Sequence, residues 1–344
     1  MPRLGITVDY ADDFATSATE VTEFERAGID VIAVAEAYSF DAVSRLGYLA
    51  AITERVTLLS AILPIFSRTP ALIAMTAAGL DSVSGGRFEL GLGSSGAQVV
   101  EGFHGVPFTA PLSRQREIVE ICRAVWRREK LEHAGKSYTI PLPGGLGKPL
   151  KLINEPVRAS IPIALASITP KAVEQTAEIA DGWLPLFFHP TRSRAVWGEA
   201  LDAGAAKRDP ALGALDVIVT VPFHVGPGAE LALEGHRQRL ALYVGGMGAK
   251  NANFYNDLAV RYGYEDEAAR VQELYLAGEK AAAAAALPDD LVRDTALIGT
   301  EQEVQSRVDA LVAAGVSTLM IAPLAPSRSG RIAAVEAARA MLPA

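Results

Sequence analysis

Val56-Thr-Leu-Leu-Ser-Ala-Ile-Leu63, followed by a helical stretch over 69–84, the pair Gly85-Gly86 and then Phe88-Glu-Leu-Gly-Leu92, spells one strand–helix–strand unit. The apolar runs are short, the stretch between them is long enough for a helix, and Pro70 sits where a first helical turn tolerates it. Gly85-Gly86 breaks the helix before the next strand begins.

The same unit repeats in both directions. Upstream, 4–8 and 30–35 read as strands, with helices over 15–27, closed by Gly28, and over 41–53. Downstream, a long helix over 111–128 keeps Ile118, Ile121 and Val125 on one face. The pattern fails over 133–160, where Pro141-Leu-Pro-Gly-Gly-Leu-Gly-Lys-Pro149 reads as a long surface loop. Strands resume at 161–166, 183–187 and 215–221, with helices over 170–180 and 191–207. Residues 230–294 read as wholly helical, then come a helix over 301–314, a last strand over 316–321 and a closing helix over 329–342. Eight strands with helical crossovers form either a closed (β/α)8 TIM barrel or an open doubly wound sheet, and the count favours the closed α/β barrel. We expect one domain over 1–344, with insertions at about 133–160 and 223–295.

Composition narrows the chemistry. Half of the 344 residues are hydrophobic and 21% are charged, so the chain can bury a large core. A formal net charge of −8 and the lack of any Lys/Arg run leave no positive field for a phosphate backbone, so no nucleic-acid partner is expected. No apolar run reaches membrane-spanning length and the first residues show no signal-peptide pattern, so a cytoplasmic protein without a membrane partner is expected. Cys122, the only cysteine, reads as a buried thiol in a reducing compartment. No Ser-His-Asp order, CxxC, HExxH or P-loop supports hydrolase, metal or nucleotide-hydrolysing chemistry, and no metal site is expected.

In a barrel the active site lies at the carboxyl ends of the strands, so the polar residues just beyond each strand are the candidates. Asp9 follows the first strand, where helix capping and function weigh equally. Glu36 and Tyr38 follow the second. Glu36 comes straight after an apolar strand, so its carboxylate is expected to be partly desolvated, with a raised pKa that suits a proton donor. Ser60 and Ala61 end the third strand, where a short side chain lets a flat ring approach, an ordinary strand end being the plain alternative. Gly91-Leu-Gly-Ser94-Ser95-Gly96 exposes backbone N–H groups but lacks the GxGxxG spacing of a dinucleotide fingerprint. His104 lies just beyond, as a catalyst or as a structural hydrogen-bonding residue. Ser167-Ile168-Thr169 precedes Pro170, which puts a helix N-terminus at the mouth: a phosphate cradle, or a plain cap by Ser167 or Thr169.

With those positions on the page, nearly the whole chain resembles the luciferase-like monooxygenase superfamily, most closely its actinobacterial deazaflavin (coenzyme F420)-dependent branch. The carrying segments are Ala33-Val-Ala-Glu36-Ala-Tyr38, Ser84-Gly-Gly-Arg-Phe-Glu-Leu-Gly-Leu-Gly93 with Ser-Ser-Gly-Ala-Gln-Val-Val-Glu-Gly-Phe-His-Gly105, and Ala180-Asp-Gly-Trp183. Tyr243-Val-Gly-Gly-Met247, 251–255 and Leu297-Ile-Gly-Thr300 extend the resemblance through the helical insertion. It implies a ring stacked on the end of the third strand, with a non-prolyl cis peptide at Ser60–Ala61. It further implies ribityl and phosphate contacts from Ser94, Ser95, Gly96, Ser167, Ile168 and Thr169. Some relatives carry an acid–His pair after the second strand, whereas Glu36 is followed here by Ala37. Proton transfer therefore falls to Glu36, Tyr38, His104 or the substrate. The resemblance implies hydride transfer between coenzyme F420 and a small organic substrate. The alternatives are an FMN-dependent monooxygenase and a flavin-binding barrel without turnover, and a homodimer is the assembly to test.

Overall fold

The computed structural model describes residues 2–8, 14–248 and 253–343. Eight parallel strands, β1 (Arg3–Val8), β2 (Val31–Val34), β3 (Thr57–Ser60), β4 (Phe88–Gly93), β5 (Ile163–Ala166), β6 (Gly182–Leu184), β7 (Asp216–Val225) and β8 (Thr318–Pro323), each pair with the next. β8 pairs with β1, so the sheet closes and the fold is a TIM barrel.

Strand alternation explains the two apolar layers. Val31, Ala33, Leu59, Ala164, Ile218 and Met320 point into the lumen and pack with Ala61 and Leu184. Their neighbours Ile32, Val34, Leu58, Leu90, Leu92, Ile163 and Leu165 point outward and form the main core beneath the helices. The lumen is packed closely enough that a glycine faces Met320. A Cβ on Gly5 would lie 2.1 Å from the Met320 sulfur.

Polar groups fill the amino-terminal end of the barrel. Arg3 Nη1 donates to Glu89 Oε1 at 2.8 Å, Nη2 to Asp216 Oδ2 at 2.5 Å and Nε to Thr318 Oγ1 at 3.0 Å. Burial alone would lower the Arg3 pKa, but Glu89 and Asp216 outweigh it and hold the guanidinium above its ordinary range. This end is a sealed structural plug, which leaves the carboxyl-terminal mouth for function.

The insertions differ in detail from the sequence expectation. Over 133–160 the chain forms a small hairpin, His133–Ala134 against Thr139–Ile140, pinned by Glu117, whose carboxylate accepts the Lys136, Ser137 and Tyr138 N–H groups. β7 runs on to Val225, because Phe223–Val225 also pair with a further short strand, Leu297–Gly299. The insertion, expected from about 223, therefore begins only after Val225, and its helical part starts at Ala229, close to the expected 230; its described residues form helices Ala229–Gly246, Phe254–Arg261, Glu265–Leu276, Lys280–Ala285 and Asp289–Asp294. The strand expected over 183–187 stops at Leu184, and Phe187 turns the chain with φ 51°. Among the described residues, no helix is long and apolar enough to cross a membrane.

Candidate active site

At the mouth end of β3 the backbone is packed tightly against β4. Ser60 is fully buried; its Oγ donates to Gly91 O at 3.0 Å and accepts Gly91 N–H at 2.9 Å. A Cβ on Gly91 would fall 1.7 Å from Ser60 O, so only glycine fits. The Ser60 hydroxyl is thus engaged within the barrel wall. Ala61, half-buried, is the residue of that pair at the lumen's upper end. The non-prolyl cis bond lies one residue later than expected, at Ala61–Ile62. Ser60 is still held by Gly91, and Ala61 N–H still donates to Val34 O at 2.8 Å, so the chain leaves the ladder only after Ala61.

Glu36 also departs from its expected role. Arg68 donates to it twice, Nη1 to Oε1 at 2.5 Å and Nη2 to Oε2 at 2.9 Å, and Ala42 N–H donates to Oε2 at 2.8 Å. Both oxygens act as acceptors, which suits a carboxylate that positions Arg68 and the start of helix Ala42–Ile52 rather than a proton donor. Tyr38 is exposed, its ring 6.2 Å from Phe103, which meets His104 edge-on at 5.3 Å. The structure therefore gathers Tyr38 and His104 around Phe103. His104 Nε2 is buried without a hydrogen-bond partner among the described residues. Asp9 lies outside the described residues.

The loop after β5 is fixed from outside. Trp183 Nε1 donates to Ser167 O at 2.9 Å and Trp197 Nε1 to Ile168 O at 2.8 Å, the indoles meeting edge-on at 5.2 Å. Ser167 Oγ shares a 2.8 Å hydrogen bond with Thr176 Oγ1, which ties the loop to helix Pro170–Ile179. Thr169 is the N-cap residue of helix Pro170–Ile179 but makes no side-chain cap bond. The first-turn amides are left without a side-chain acceptor, beside the Arg261 guanidinium, whose Nη1 reaches Ile168 O at 3.4 Å. Across from it, Ser94 and Ser95 turn the chain with Ser95 at φ 57°, and the exposed Gly96 caps helix Ala97–Gly102 without a side-chain bond.

The other half of the mouth is hollow. A cavity of about 680 Å³ lies between β1, β7 and β8, lined by Val8, Thr220 and Ala322 from the strands and by His236, Arg239 and Thr295 from the helical segment. Phe187 borders it and packs edge-on against Tyr243 at 5.0 Å, which in turn meets Tyr255 at 4.9 Å. Burial raises the Tyr255 pKa to about 12, with Tyr243 pushing the same way, so that hydroxyl stays protonated.

A sequence profile of the luciferase-like monooxygenase family matches residues 2–318. The chain belongs to that family. A putative coenzyme F420-dependent oxidoreductase of Mycobacterium tuberculosis is 40% identical over 93% of this chain and 94% of its own length. A 5,10-methylenetetrahydromethanopterin reductase of Archaeoglobus fulgidus is 26% identical over 90% of each chain. Among solved structures, the coenzyme F420-dependent tetrahydromethanopterin reductase from Methanopyrus kandleri superposes with TM-score 0.80 at 21% identity, over 98% of this chain and 96% of that one. Luciferase-like family membership and these relatives make the chain an oxidoreductase.

Several site residues escaped the sequence reading. Arg68, Trp197, Arg261, Phe187 and His236 were passed over because each acts on a partner distant in sequence. A local signal existed only for helix Ala229–Gly246, where His236, Arg239 and Tyr243 fall three and seven apart on one stripe.

Proposed function

We propose that this chain is a coenzyme F420-dependent oxidoreductase that passes a hydride between the deazaflavin ring and a small organic substrate. The observation that carries this reading is the 40% identity, over 93% of the chain, to a relative named for that coenzyme. The geometry supports it, because the mouth divides into two halves. On the β3–β5 side lie the short Ala61 side chain, where a flat ring can approach, and the open start of helix Pro170–Ile179 beside Arg261, which favours a phosphate. The cavity bordered by β1, β7 and β8 is left for the substrate.

When bound, the coenzyme supplies hydride donation or acceptance at its ring carbon. The chain's residues then orient and shield. Trp183 and Trp197 fix the loop whose amides hold the phosphate, Phe187, Tyr243 and Tyr255 wall the mouth against water, and the Glu36–Arg68 pair sets the loop after β2. His104 Nε2 and the Tyr38 hydroxyl are the groups at which a proton can be held. The buried Cys122 thiol, which burial pushes far up in pKa, suits a reducing cytoplasm.

Fluorescence titration of the purified protein with F420 and with FMN tests the reading. Saturable F420 binding with no FMN binding is expected. FMN binding without F420 binding would overturn it in favour of a monooxygenase fed with reduced flavin.

A further inference from the structure

Resting on that oxidoreductase reading, we propose that the cavity beside β1, β7 and β8 takes an amphiphilic carboxylate, its acid group on Arg239 and its apolar body among Val8, Phe24, Val221 and Leu324. The charge balance of the lining carries this. Among the described residues, Glu20, Arg239 and Arg331 are its ionised side chains. Arg331 is already matched, with Nε donating to Glu20 Oε2 at 2.8 Å and Nη2 to Oε1. Arg239 makes no hydrogen bond or ion pair among the described residues, and its guanidinium carbon stands 6.0 Å from the Tyr243 ring centroid. Among the described residues the cavity therefore presents one cation without an acidic partner, exposed at its rim, and an apolar interior beneath it.

His236 adds no second charge. Burial pushes its pKa down to about 4, with Arg239 pushing the same way, so the ring is neutral at neutral pH. Thr295 Oγ1 gives its only hydrogen to Leu291 O at 2.7 Å and so accepts from His236 Nε2 at 3.0 Å. That places the ring proton on Nε2 and leaves Nδ1 an acceptor without a protein donor, able to take a hydrogen bond from a hydroxyl on the bound acid. A lone cation next to a neutral acceptor matches a monoanion. A phosphate dianion calls for more donors, which the opposite half of the mouth offers at the start of helix Pro170–Ile179.

The test titrates the full-length protein with decanoate, 1-decanol and decylamine by calorimetry, then repeats the titrations with Arg239→Gln. Decanoate should bind tighter than decanol by roughly tenfold to a hundredfold, as for a hydrogen bond to a charged group, with decylamine weakest. Arg239→Gln should abolish the preference for the acid while leaving decanol affinity unchanged and the melting temperature close to the parent's, because among the described residues Arg239 makes no hydrogen bond or ion pair and only a long 6.0 Å approach to the Tyr243 ring. Equal binding of acid and alcohol, a preference that survives Arg239→Gln, or no binding of any probe overturns the inference. F420 titration of the same samples scores the coenzyme separately. Loss of F420 binding with the acid preference intact removes only the oxidoreductase cofactor, and F420 binding without the preference removes only the carboxylate.

Discussion

Arg68 grips Glu36 with both terminal nitrogens, at 2.5 and 2.9 Å, across 32 residues of chain. The carboxylate just past an apolar strand is thereby an anchor, and the arginine it holds is nearly as buried as itself. Glu36→Gln should lower unfolding free energy by about 3 kcal/mol, because it leaves a largely buried guanidinium without its counter-charge. The urea midpoint measures this. Unchanged stability together with a turnover loss of roughly 10²–10⁴ would restore Glu36 as the proton donor.

The phosphate assignment separates two threonines that both precede helices. Thr300 accepts Glu303 N–H in a capping box, whereas Thr169 makes no side-chain cap bond. Thr300→Ala should therefore cost about 1 kcal/mol, and Thr169→Ala should stay within about 0.5 kcal/mol. Thr169→Glu should place a negative charge where the phosphate binds and weaken F420 at least tenfold, and Arg261→Gln should act in the same direction. F420 affinity untouched by both substitutions would remove the site from this loop.

Gly91, near the end of β4, and Gly96, in the loop that follows, should respond oppositely. A Cβ at Gly91 meets the Ser60 carbonyl oxygen, a backbone atom that cannot swing away, whereas a Cβ at Gly96 meets nothing within 4 Å. Gly91→Ala should cost about 3 kcal/mol or more through forced backbone movement. Gly96→Ala should be neutral in thermal melts. Equal melting temperatures for the two variants would contradict the close approach of β3 and β4.

His236 makes stability depend on pH in a window above that of the carboxylates. Its folded-state pKa, about 4, lies below the ordinary 6.5 because of burial, so the folded protein binds this proton more weakly than the unfolded chain. Its contribution is fully present above pH 6.5 and is lost as the pH falls toward about 4, amounting to about 3 kcal/mol. His236→Gln keeps a donor for Thr295 and removes the titration. Denaturant unfolding from pH 7 to 5 should show a flatter profile for the variant than for the parent, and parallel profiles would exclude His236 as the source.

By itself the sequence determined the barrel and most of its strands, though not where β6 and β7 end. Alternating apolar runs, the glycines at 28, 85, 86 and 315 and the prolines that open helices are local signals, and local backbone geometry obeys them. Because function in this fold sits at the strand ends, the same signals pointed to the loops after β2, β4 and β5. The fate of each side chain in those loops was decided only by tertiary structure. Ser60 and Ser167 look free in sequence but spend their hydroxyls on Gly91 and Thr176. Glu36 looks like an acid until Arg68 arrives from the next loop. The cradle after β5 depends on Trp197, 29 residues on, and on Arg261, 93 residues on. In the cavity beside β1, β7 and β8, Arg331 is neutralised by Glu20, 311 residues earlier, while Arg239 has no acidic partner among the described residues. Hydrogen bonds and ion pairs select partners by proximity in space, and a closed barrel brings distant parts of the chain together at one mouth.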